Sequence, residues 1–251
     1  MKSDLTGISL IKDGNTLGYP WKIAFSHLSQ LCEHVVFNVD DVAGYDAVNN
    51  TDGTYRDLLD LGLSNAAICI SNWDMRNTTD GRELAKQANF LLRYVSTKWV
   101  IYLQADEIIH EDDYEKIYQV IENAPEHVTQ IELFRTYFWG DLETRAPGYE
   151  LYLGRIFRLG THTVGGDGMH LVRGVGDVLR TNIPIYHYSR IGSEREVTRR
   201  IRRLDGLFHE ENEVQKMPDF SYNELSQHQL NLYTGSHPFG IQQFYQGQID
   251  E

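Results

Sequence analysis

The chain has 251 residues and 29.0 kDa, with 41% hydrophobic and 24% charged residues, enough for one large packed domain and unlike a disordered chain. Its formal net charge of −13 argues against broad attraction to nucleic acid or an anionic membrane surface. Two cysteines, Cys32 and Cys69, both in apolar stretches, exclude a disulfide framework and a cysteine metal site, and no window approaches a membrane span.

The N-terminal run "MKSDLTGISLIKDGN" is too polar for a secretory signal. We therefore expect a cytoplasmic protein, in which the sequon at Asn77 is incidental. The first half alternates β-rich runs with helical patterns, the mark of βαβ units and a mostly parallel sheet. Strands are predicted over Gly7–Lys12, His34–Asp41, Ala67–Ser71 and Lys98–Gln104, and helices over Pro20–Glu33 and Gly81–Val95. A helix follows from Tyr114, with Asp112 and Glu115 spaced as a D-x-x-E capping box. Further strands are predicted over Val128–Trp139, Leu151–Leu159 and Ile183–Tyr188, with some antiparallel pairing. An arginine-rich helix runs from Glu194 to about His209. Residues 1–209 are read as one domain, with 210–251 as a tail or lid packed on it.

In open α/β sheets, ligands bind beyond the carboxyl ends of the strands. Asp40, Asp41 and Asp106 stand at such ends. The capping box accounts for the acids from Glu111 to Glu115, but Asp106 and Glu107 follow a buried strand directly. A buried carboxylate requires a partner, either a cation or an arginine.

The stretch "GRELAKQANFLLRYVSTKWVIYLQADE" resembles the helix and strand that precede the D-x-D motif of family-2 glycosyltransferases of the GT-A fold. "LIKDGNTLGYPW", "DGTYRDLL", "IYHYSR" and "YTGSHP" resemble further pieces of a bacterial and phage branch of that family, in the same order and over nearly the whole chain. The resemblance implies a single GT-A α/β domain that transfers a sugar from a nucleoside-diphosphate donor, with Mn²⁺ or Mg²⁺ as the ion. It makes Asp106 the motif's last aspartate and first choice as metal ligand, with Glu107 as a secondary candidate; His187 reads either as a ligand to the metal or the diphosphate or as a core histidine at the end of a strand. Gln104 stands where the usual motif has an aspartate, and its amide can reach a ribose hydroxyl.

On the donor side we also place Asp40, Asp41, Arg82, Asn89 and His237. Inversion by direct displacement needs a carboxylate to take the acceptor proton. Asp167, alone in the loop "VGGDGMH", is chosen, ahead of Asp141 and Glu143, although Gly-Gly-Asp-Gly also reads as a hairpin turn. Arg195, Arg199, Arg202 and Arg203 read either as a solvated helix face or as contacts to the diphosphate or an anionic acceptor. Tyr137, Phe138 and Trp139 read either as core or as an acceptor platform. The expected acceptor is a glycan or lipid-linked sugar, with a modified base of phage DNA as the minority case. A binding module without activity and a nucleotidyltransferase are the competing classes, the first kept open by Gln104.

Overall fold

The structure is a computed structural model that describes residues 4–40, 52–74, 82–168, 170–172 and 174–247. Asp41, Gly81 and the Asn77 sequon lie outside the described residues.

Four strands form the parallel core: β1 (Leu5–Ile11), β2 (His34–Asp40), β3 (Ala66–Ser71) and β4 (Trp99–Tyr102). Their order is β3-β2-β1-β4, with β1 parallel to both β2 and β4. Every residue of β1 and of β4 is buried, as expected of central parallel strands covered on both faces. The sheet continues through β5 (Glu107–Ile108), β6 (Val128–Gly140), β7 (Thr144–Arg145), β8 (Leu151–Arg158), β11 (Asp177–Ile191) and β12 (Asn231–Leu232). Here β8 runs antiparallel to β4 and β6, β11 runs parallel to β6, and β5 pairs antiparallel with β11. A separate hairpin joins β9 (Thr163–Gly165) and β10 (His170–Val172). The result is a mostly parallel central sheet with mixed pairing in the second half.

Helices cover both faces. On one side α1 (Gly14–Leu17) precedes α2 (Trp21–Leu31), whose apolar stripe of Trp21, Ala24, Phe25, Leu28 and Leu31 packs on the sheet. A Cβ at Gly7 would lie 2.7 Å from the Leu28 side chain, so glycine there lets α2 settle directly on β1. Phe25 stacks on Phe37 with ring centroids 4.1 Å apart. The same core takes Leu58 of α3 (Thr54–Asp60) and Ile117 and Ile121 of α5 (Tyr114–Asn123). On the opposite face α4 (Arg82–Leu91) buries Ala85, Ala88 and Leu91 against Ile8, Val36 and Val100.

In the second half, α6 (Glu194–Asp205) starts at a capping box between Ser193 and Glu196, and α7 (Glu211–Val214) follows. Beyond them α8 (Ile241–Gly247) drops Ile241 and Tyr245 into the main core, and β12 pairs with β7.

The expected capping box at Asp112 and Glu115 does not form. His110 caps instead, its Nδ1 accepting from the Asp112 backbone N–H at 3.1 Å, and Asp113 makes no cap bond but pairs with Lys116. Imidazole supplied the acceptor that the sequence pattern assigned to a carboxylate.

Candidate active site

The carboxyl ends of the four parallel strands open on one side of the sheet, and a cavity of about 320 Å³ lies where β1 and β4 diverge. This is the switch point of the strand order, where an open α/β sheet leaves a crevice between its loops. Leu10 to Lys12 line it from the end of β1, Trp73 from beyond β3, and Gln104 to Asp106 from the turn after β4.

That turn is held from beneath. Glu107 is fully buried, and its carboxylate accepts from Arg155 Nε at 2.9 Å and Nη2 at 2.7 Å. The same carboxylate accepts from the Gln104 backbone N–H at 3.1 Å. Glu107 is thus tied to Arg155 on β8 and does not line the cavity, whereas Gln104 and Asp106 do. A bidentate carboxylate with a buried guanidinium partner satisfies both ions away from water.

Asp106 is 8% exposed. Burial, reinforced by the neighbouring Glu107 charge, pushes its carboxyl up to about 6. The backbone N–H of Tyr188 on β11 donates to the Asp106 carbonyl at 3.0 Å, which brings His187 to the same place. His187 Nε2 stands 3.7 Å from Asp106 Oδ2, too far for a hydrogen bond. Its Nδ1 lies 3.2 Å from Ser189 Oγ, and its ring stacks on Tyr137 at 4.8 Å. Burial first, then the Arg135 and Arg190 charges, hold His187 well below its ordinary value, so the imidazole is neutral. Nδ1 and the Ser189 hydroxyl share one hydrogen bond, and Nε2 is the ring nitrogen that faces Asp106.

These two groups fit a divalent cation: one oxygen and one neutral nitrogen converge, and among the described residues the carboxylate has no cationic ion-pair partner that would repay its burial. They are only two donors. Among the described residues no group of three or more His, Cys, Asp and Glu side chains could hold an ion, so the remaining ligands would have to come from substrate and water.

Asp167 also lines the cavity. The Gly-Gly-Asp-Gly segment does make a hairpin turn, closed by Gly168 N–H donating to the Gly165 carbonyl at 3.1 Å, and that turn carries Asp167 over the site. Gly168 has φ +81, and a Cβ there would meet Leu84 and the Tyr102 hydroxyl at 3.1 Å; glycine is what this close approach permits. The hairpin is moored by Asn89 on α4, whose side chain donates to the Val164 carbonyl at 2.7 Å and accepts from the Val164 N–H at 2.8 Å.

The other expected donor residues stand back from the cavity. Asp40 accepts from the Trp73 N–H at 3.0 Å and pairs with Lys12, so it orients two lining residues. His237 engages both ring nitrogens, with the Tyr188 hydroxyl at 3.0 Å and the Leu142 carbonyl at 2.8 Å. Arg82 is exposed at the start of α4 and does not line the cavity. Asp141 and Glu143 line a separate, larger groove with Arg195, Arg199 and Arg202. Tyr137 faces the cavity, while Phe138 and Trp139 are buried away from it.

Five cationic side chains surround the two carboxylates: Lys12, Arg135, Arg190, Arg200 and Arg203. Sequence reasoning did not single out Lys12, Arg135, Arg190 or Arg200. Arg200 is 1% exposed and donates to the carbonyls of Leu17, Gly18, Ser189 and Ile191, clasping the loop after β1 to the end of β11. Arg135 was legible in principle, as a cation on the buried face of β6 between Leu133 and Tyr137.

The architecture is the GT-A glycosyltransferase fold. The chain is similar to residues 1–349 of S. aureus TarS, solved in complex with UDP-GlcNAc, with 14% identity over 85% of this chain and 69% of that one and a TM-score of 0.50. Glucosyl-3-phosphoglycerate synthase from Mycobacterium tuberculosis, solved with Mn²⁺, UDP and glucosyl-3-phosphoglycerate, is 11% identical over 81% of this chain and 79% of that one, with a TM-score of 0.46. No protein-family model and no curated protein matches the chain. Among the described residues no helix is long and apolar enough to cross a membrane.

Proposed function

We propose that the protein is an inverting, family-2-like glycosyltransferase that moves a sugar from a nucleoside-diphosphate donor to an acceptor hydroxyl. The observation that carries this reading is the meeting of Asp106 and neutral His187 in a cation-lined cavity at the β1/β4 switch point of a GT-A fold. A divalent cation, Mn²⁺ or Mg²⁺, held by Asp106 and His187 would neutralise the charge that grows on the departing diphosphate.

The chain's own residues supply the rest. Asp40, through Lys12 and Trp73, shapes the donor end of the cavity. Gln104 brings an amide where an acid would add a second charge beside Asp106, so the ion is bound weakly without a diphosphate. The acceptor oxygen bonds to the anomeric carbon as the bond from that carbon to the diphosphate oxygen breaks. The electron pair leaves with the diphosphate, and Asp167 takes the acceptor's proton. A glycan or lipid-linked sugar suits the acceptor role better than nucleic acid, given the net charge of −13.

Thermal-shift screening of nucleotide sugars with and without Mn²⁺, followed by a transfer and hydrolysis assay, tests the reading. Metal-dependent stabilisation with turnover supports it. Binding without turnover would favour a binding module, the reading that Gln104 supports.

A further inference from the structure

The sheet order separates the β6 and β11 side of the cavity from β2 by β8, β4 and β1, and that side carries arginine charge besides His187. Lys12 is neutralised by Asp40, Arg203 by Asp13, and Arg200 spends its guanidinium on four backbone carbonyls. Two arginines remain.

Arg135 is 7% exposed and makes one hydrogen bond, from Nη2 to the Tyr149 carbonyl at 2.9 Å. Its Nε is buried with no partner, and the side chain lines the cavity. Arg190 also lines the cavity, its guanidinium 5.7 Å from the centre of the Phe220 ring. Among the described residues neither is in an ion pair with a carboxylate.

A guanidinium with an unused donor in a dry site is costly to the fold unless a ligand completes it. On the donor reading a divalent cation on Asp106 and His187 would meet the diphosphate, and the unpartnered Arg135 Nε is left for a second anionic group. Tyr137 and Tyr149 stack at 5.2 Å beside Arg135, and Tyr149 is 41% exposed, a wall against which a sugar ring can lie.

We infer that Arg135 and Arg190 form a subsite for an oxyanion, a carboxylate or a phosphate, carried by the acceptor next to the hydroxyl that receives the sugar. The planar fork of arginine pairs with two oxygens of either group. This inference rests on the donor reading above.

The test is calorimetric titration of sulfate and of acetate into the full chain saturated with UDP and Mg²⁺. Saturable binding of one oxyanion per chain is expected, and the tighter of the two identifies the acceptor group as phosphate-like or carboxylate-like. In Arg135→Gln and, independently, in Arg190→Gln, oxyanion affinity should fall at least about tenfold while UDP affinity stays within about twofold. Arg135→Lys, which keeps the charge, should recover part of the loss. Absence of oxyanion binding to the UDP complex would overturn the inference. So would an equal loss of UDP affinity in both variants, which would assign the arginines to the diphosphate. Failure of the unmodified chain to bind UDP would instead overturn the donor reading, and the inference with it.

Discussion

Replacing Asp106 by asparagine should make the metal-free protein more stable while removing its function. Its carboxyl rises from 3.8 to about 6 in the fold, chiefly through burial. A raised carboxyl favours the folded state when protonated, so this contribution is fully present below about pH 4 and is lost as pH rises through about 6. At 1.36 kcal/mol per pKa unit, the ionised carboxylate costs the metal-free fold about 3 kcal/mol above that window. The substituted amide would carry the same shape without the charge. In a chain of this size the gain corresponds to a Tm higher by roughly 6–12 °C at pH 8, falling to nothing near pH 3.5. Differential scanning fluorimetry in EDTA across that range measures it. An unchanged or lower Tm at pH 8, or a gain of equal size at both ends, would refute the claim that Asp106 is an unpaired buried charge awaiting a cation.

Glu107→Gln should do the opposite, leaving the Arg155 guanidinium buried without its carboxylate and costing about 3–5 kcal/mol in urea unfolding at neutral pH. Asp167→Asn should abolish transfer with donor affinity intact, and near-normal turnover would remove Asp167 from the base role. In Asn89→Ala the hairpin that carries Asp167 loses two hydrogen bonds, worth about 1–3 kcal/mol together; turnover should fall at least about tenfold, with the donor Kd nearly unchanged. Equal loss of both would show that Asn89 binds the donor directly.

The parallel half of the fold was legible because its signals are local. A continuous apolar run marks β4, and Leu5, Ile8, Leu10 and Ile11 mark β1, while the apolar stripe of α2 sets the face it buries. Asp106 was legible for the same reason, as an acid placed directly after a buried strand. The partner of Glu107 was not, because Arg155 lies 48 residues on and meets it only through the pairing of β8 with β4. Arg200 hid among its neighbours in "TRRIRR". Charge was conspicuous at Arg195 and Arg199, which are exposed, whereas the buried member is the one in helical phase with Val197. The turn at Asp167 shows the limit of choosing between a bland and a functional reading. The same glycines make the hairpin turn and set Asp167 at the cavity, so the turn does not compete with the proposed base role.

The central claim is that the cavity after β4 takes a nucleoside diphosphate together with a divalent cation on Asp106 and His187. Titrating UDP into the protein with Mn²⁺ and again in EDTA tests it most directly. The account predicts binding at least about tenfold tighter with Mn²⁺, a difference of about 1.4 kcal/mol or more, and loss of that difference in Asp106→Asn. Equal affinity with and without the ion, or a metal effect that survives Asp106→Asn, would contradict it.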